Sequence, residues 1–116
     1  HVIGGEPSNA DDAYRSLLSG GIEKNASADT IADGLKTQLG DINFPIIQKG
    51  VEKIIRVEEA EIISAMKIIW EHLKIVCEPS SALALAACLK EKELYRNKNV
   101  GIIISGGNVD LGDLPF

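Results

Sequence analysis

The sequence predicts an α/β layer with parallel strands covered by helices, and three observations point there. Short β-like runs alternate with helix-like stretches along the 116 residues. The run VGIII (100–104) is apolar without alternation, as in a strand covered on both faces. The run ALALAACL (82–89) has no polar face, so its helix is expected to be covered on every side.

Taken in order, His1–Gly5 reads as a strand. Asn9–Ser19 reads as a helix, with Ser8 or Asn9 as N-cap, Asp11 and Asp12 in the first turn, and Gly20 and Gly21 ending it. Residues 22–42 read as loop around a short helix near ADTIADGLKTQ. Pro45–Val51 reads as a short helix and Lys53–Val57 as a short strand. Glu58–Ile75 shows the clearest helical period. Ile62, Met66, Ile69, Leu73 and Val76 fall on one stripe, and Glu61, Ser64, Lys67, Glu71 and Lys74 on the other. Pro79 opens a further helix to about Lys92, as proline suits the first turn. Asn99–Ile104 reads as the last strand, and Val109–Phe116 as a trailing end.

Length and composition fit one globular unit, with 45% apolar and 25% charged residues. A net charge of −5 argues against a nucleic-acid surface, which needs a basic patch. The apolar runs are too short to span a bilayer. Cys77 and Cys88 lie in apolar segments without metal-ligand spacing, which predicts free thiols in the cytoplasm. His1 stands in mid-strand, and three short strands cannot cover ALALAACL and VGIII. A segment of a longer chain is therefore expected, with the covering part upstream.

Four groups of residues can carry chemistry. In SGGN (105–108), Ser105 and two glycines follow a buried strand, where open α/β sheets bind ligands; a plain strand-to-turn exit is the alternative. No helix follows, so this is not a phosphate loop. In EPSNADD (6–12), Glu6 and Asp12 can converge on a small hard cation, or the acids can simply complement a helix dipole. In TIADGLKT (30–37), Thr37 can face a pocket, although the pattern alone is an ordinary turn. Glu78 in CEPSS (77–81) reads as a capping acid or as a group behind a ligand. Neither His1 nor His72 has a partner for a nucleophile relay.

Together and in this order, EPSNADDA, TIADG, the W-E-x-x-K-x-x-x-E-P run at 70–79 and SGGNVD resemble the serine/threonine dehydratase family of fold type II pyridoxal-phosphate enzymes. EPSNADD paired with SGGNVD resembles its racemase-like branch. The resemblance covers essentially the whole chain and implies the carboxyl-terminal part of the large, cofactor-binding domain. It implies that Ser105 hydrogen-bonds the pyridine nitrogen of pyridoxal 5'-phosphate, with Gly106 and Glu78 beside the cofactor. It further implies a Mg²⁺ or Mn²⁺ site at Glu6, the Ala10 carbonyl and Asp12, and substrate-side positions at Gly34 and Thr37. Lys74 and Asn108 match part of a nucleotide-activator site at a homodimer interface.

The implied activity is interconversion of L- and D-serine together with elimination of water from serine to give pyruvate and ammonia. Threonine or 3-hydroxyaspartate dehydration is the alternative within the family. The Schiff-base lysine and the glycine-rich phosphate cradle belong upstream, and Lys24, Lys36, Lys49 and Lys53 stand in no such context. The segment alone is thus expected to be inactive. A non-catalytic small-molecule-binding regulatory module is the reading from a different class.

Overall fold

The computed structural model describes residues 1–116. Its sheet is parallel, as expected, but holds two strands. β1 (Ile3–Pro7) pairs with β2 (Lys53–Val57) in the register Ile3 opposite Lys53 through Pro7 opposite Val57. β1 begins and ends two residues later than expected, since its ladder starts at Ile3 opposite Lys53 and runs on through Glu6 and Pro7, and the Ser8 amide still donates to the Val57 carbonyl at 2.8 Å.

Helix α1 (Asp12–Ser19) also starts later than the sequence suggests. The Ala10 amide donates back to the Pro7 carbonyl, so the chain turns before it can coil. Neither expected cap acts. The Ser8 hydroxyl donates to the Glu58 carboxylate, and the Asn9 side chain donates to the Asp29 carbonyl. The free amides of Ala13 and Tyr14 donate instead to the two carboxylate oxygens of Glu6, at 3.0 and 2.7 Å. A residue of β1 thereby satisfies the orphan donors of the helix that follows it. Gly20, in the left-handed region at φ 78°, ends α1 as expected.

Between α1 and β2 the chain forms one short 3₁₀ turn (Asp33–Leu35) and helix α2 (Phe44–Gly50). Helix α3 (Glu59–Ile68) opens with a reciprocal capping box between Glu58 and Glu61. The single helix expected to reach Ile75 does not form. Ile69–Leu73 widens into a π turn, and Lys74 reverses the chain at φ 58°. The wider turn rotates the apolar stripe, so Ile62, Met66 and Ile69 are buried while Leu73 and Val76 are more than half exposed. The reversal is clamped by the Trp70 indole, whose N–H donates to the Cys77 carbonyl at 3.0 Å.

Helix α4 (Pro79–Lys90) packs against α3 and both strands. One core joins the sheet to these helices through Ile55, Val57, Ile62, Met66, Leu83 and Ala86, among others. Contrary to expectation, α4 is not covered on every side. Ala84, Leu85 and Cys88 are half-buried, and Leu89 is exposed.

The expected strand at Asn99–Ile104 is absent, because nothing in the segment pairs with it. Ile103 is 80% exposed. A cleft of about 700 Å³ separates Val100–Ile103 from His1–Ile3 at β1, with Ala84 and Cys88 also on its wall. The tail, by contrast, does not trail off. Val109 and Leu114 pack on the core, and Phe116 meets the Trp70 ring edge-on with centroids 5.8 Å apart. Only 20 of 116 residues are buried, so much of the apolar surface that composition would place inside stays open. No helix is long and apolar enough to cross a membrane.

Burial pushes the Glu6 carboxyl from its ordinary 4.5 up to about 7, against the lowering pull of the Tyr14 and Ala13 amides and with help from the charges of Asp12 and Asp11. The folded chain thus holds a proton that the unfolded chain releases between pH 4.5 and about 7, and stability falls as pH rises through that window. The melting temperature of the protein, compared with its Glu6→Gln variant across this range, is expected to fall more steeply. Parallel curves would contradict the assignment, and a slope abolished by millimolar Mg²⁺ would favour a cation at these carboxylates.

Candidate functional site

Two short stretches, Cys77–Ser81 at the start of α4 and Ser105–Asn108 near the tail, are strapped together by hydrogen bonds. The Glu78 amide donates to the Gly106 carbonyl at 3.1 Å. The Gly106 amide donates to the Ser81 hydroxyl at 2.8 Å. The Asn108 amide donates to the Glu78 carboxylate at 2.9 Å, and the hydroxyls of Ser81 and Ser105 lie 3.2 Å apart. Ser105, Gly106 and Glu78, predicted to serve one cofactor, therefore do meet.

The strap also gives the glycines a different reason from the expected one. A Cβ on Gly107 would lie 2.6 Å from the Val76 carbonyl oxygen, and one on Gly106 would lie 2.9 Å from the Glu78 carboxylate. The backbone of Val76 demands glycine at 107 whether or not a ligand comes near, whereas at 106 an added carbon would have to displace only the Glu78 carboxylate. Glu78 is likewise not a side-chain cap. Its backbone carbonyl accepts the Ser81 and Ala82 amides, while its carboxylate turns away to Asn108. That carboxylate braces the strap.

Ser105 is exposed, whereas Ser81 behind it is 1% exposed. The result is a neutral hydroxyl, held from behind and open in front, as a flat ring with a hydrogen-bonding nitrogen at its edge requires. The residues present fit the cofactor's ring-nitrogen side. Nothing in the segment offers a phosphate cradle.

The expected cation site fits less well. Each oxygen of Glu6 accepts an amide of α1, and those of Asp12 accept the Asn25 side-chain amide at 2.8 Å and the Leu39 amide at 2.7 Å. Asp11 pairs with Arg15 and Arg56, whose hydrogen bonds outweigh burial and hold its carboxyl below the ordinary range. No three Asp, Glu, His or Cys side chains gather as a metal-holding group. The expected set of two carboxylates and the Ala10 carbonyl is smaller than such a group, and in this structure Glu6 and Asp12 organise the β1–α1 turn and the loop leading to α2.

Among the substrate-side candidates, the Gly34 amide donates to the Ser80 hydroxyl at 3.0 Å, which places the 30–37 loop beside the start of α4. Thr37 is exposed and makes no hydrogen bond. Lys74 and Asn108 are both exposed, near the two ends of the strap, and no hydrogen bond joins them. Trp70 and Ser81 lie inside motifs the sequence offers, but neither composition nor spacing assigns them the clamp or the brace seen in the structure. The only local trace is the proline-opened first turn that places Ser81 at its third position.

Replacing Gly107 with alanine is expected to destabilise the protein by about 1–3 kcal/mol, the range for forcing an extra carbon into a packed site. Urea unfolding checks this, and an unchanged midpoint would mean that Gly107 is not pinned against Val76.

Residues 1–106 match the family model described as pyridoxal-phosphate dependent enzyme. The chain is 49% identical to the beta-hydroxyaspartate dehydratase of Paracoccus denitrificans over 99% of its own length. It is 54% identical to the serine racemase of Dictyostelium discoideum over 97%. The solved structure of maize serine racemase superposes with a TM-score of 0.91 at 41% identity, covering 97% of this chain and 36% of that one. The chain spans 36% of the length of both curated relatives. These matches carry the family and the parallel α/β layer, while the expected placement in the carboxyl-terminal part of a parent chain is not supported by them. On this footing, the chain belongs to the pyridoxal-phosphate dependent enzyme family.

Proposed function

We propose that the segment is the ring-nitrogen wall of a pyridoxal-phosphate enzyme that racemises serine and eliminates water from it. The observation that supports this best is Ser105, an exposed neutral hydroxyl braced by a buried one in a chain of this family. When bound, the cofactor supplies an electron-accepting ring that stabilises negative charge at the substrate Cα. Ser105 contributes a hydrogen bond to the ring nitrogen without contributing charge. A carboxylate at that position would hold the nitrogen protonated and deepen the ring's pull on electrons. A hydroxyl leaves the pull weaker, which disfavours transamination while permitting return of a proton to Cα or loss of a β-hydroxyl.

Gly34 and Thr37 would stand on the substrate side, carried by the loop that Ser80 holds against α4. The lysine that binds the cofactor, the phosphate cradle and the group that serves the opposite face would come from the remainder of the enzyme. That remainder would also fill the cleft between β1 and Val100–Ile103. A homodimer with a nucleotide near Lys74 and Asn108 belongs to the same proposal, as does a cytoplasmic setting for the free thiols of Cys77 and Cys88. A second reading, a 3-hydroxyaspartate dehydratase, is favoured by the 49% identity to a protein of that name.

Chiral analysis of products from L-serine and from 3-hydroxyaspartate, using the full enzyme, decides between the two. D-serine and pyruvate from serine are expected. Turnover confined to hydroxyaspartate would select the second reading. In the same enzyme, Ser105→Asp is expected to raise the share of transamination products several-fold, and an unchanged product spectrum would overturn the role given to the hydroxyl.

A further inference from the structure

Ser81 is the third residue of α4 and is 1% exposed. Its oxygen accepts the Gly106 amide at 2.8 Å, and its other hydrogen-bond partner is the Ser105 hydroxyl at 3.2 Å. Each hydroxyl carries one hydrogen, so only one of the two can donate across the 3.2 Å contact. Burial decides which. If Ser105 donated, the Ser81 hydrogen would be left in the interior without an acceptor. The Ser81 hydroxyl makes no bond to the carbonyl one turn back, that of Cys77, which accepts the Trp70 indole instead. An unsatisfied buried donor carries a full desolvation penalty, whereas the exposed Ser105 hydroxyl can always find a partner outside.

We infer that Ser81 is a positioning residue that donates to Ser105 and so aims the Ser105 hydrogen outward, at the ring nitrogen of the cofactor. This rests on the role proposed above for Ser105 and goes beyond it. The amide of Gly106, the hydroxyl of Ser81 and the hydroxyl of Ser105 form a one-way relay, each donating to the next. The final donor is matched to an unprotonated nitrogen, and a protonated one would set two hydrogens against each other. Ser81 touches no reacting atom and acts only through Ser105.

The test uses the full enzyme reconstituted with cofactor labelled with ¹⁵N in the ring. In Ser81→Ala the ring-nitrogen resonance is expected to move toward the protonated position, with cofactor binding weakened roughly two- to tenfold. Ser81→Thr, which keeps the hydroxyl, should restore the resonance. Hydrogen exchange at the Gly106 amide of the cofactor-free enzyme should quicken in Ser81→Ala and serves as a readout independent of the cofactor. If Ser105→Ala shifts the resonance but Ser81→Ala leaves both resonance and affinity unchanged, Ser81 has no positioning role. If Ser105→Ala itself leaves the resonance unmoved, the role of Ser105 falls and the relay falls with it.

Discussion

Gly106 is held from both sides, its carbonyl by the Glu78 amide and its own amide by the Ser81 hydroxyl, and the rest of the site follows from that grip. It fixes the start of α4 against a stretch of chain 25 residues later. It sets Ser105 in front of Ser81 and presses Gly107 onto the Val76 carbonyl. Past the strap, Val109 and Leu114 return to the core and Phe116 to Trp70, whose indole holds the Cys77 carbonyl. One backbone contact therefore orders the hydroxyl proposed to meet the cofactor and the tail that closes over the helix behind it.

A second organising contact lies at the end of β1. The Glu6 carboxylate leaves β1 and caps α1, while Asp12 at the start of α1 reaches Asn25 and the Leu39 amide. Glu6 accepts backbone amides of the helix that follows it, and Asp12 accepts one side-chain and one backbone amide from the loop beyond. The two contacts are linked through the 30–37 loop, where Gly34 binds Ser80 beside the strap. A loop that by composition is an ordinary turn is thus held next to the proposed cofactor wall.

The elements with their own local signals were legible in the sequence. Gly20 ended α1, Pro79 opened α4, and KIIRV formed β2 with the bounds expected. Boundaries failed where a distant group decided them. Nothing near Asn9 reveals that Glu6 would cap α1 at Ala13 and Tyr14, and no propensity encodes the π turn that exposes Leu73. The strand at Asn99–Ile104 failed for a different reason: its sequence is that of a buried strand, but a strand exists only with a neighbour. In the site, Ser105, Gly106 and Glu78 were found together. Ser81 was not, because a serine in a first helical turn has many ordinary uses.

A crystal structure of the intact enzyme with its cofactor tests the central claim most directly. The Ser105 oxygen is expected within about 3 Å of the ring nitrogen, with the Ser81 oxygen behind it. A ring nitrogen that faces a carboxylate, or a Ser105 oxygen remote from the ring, would contradict it.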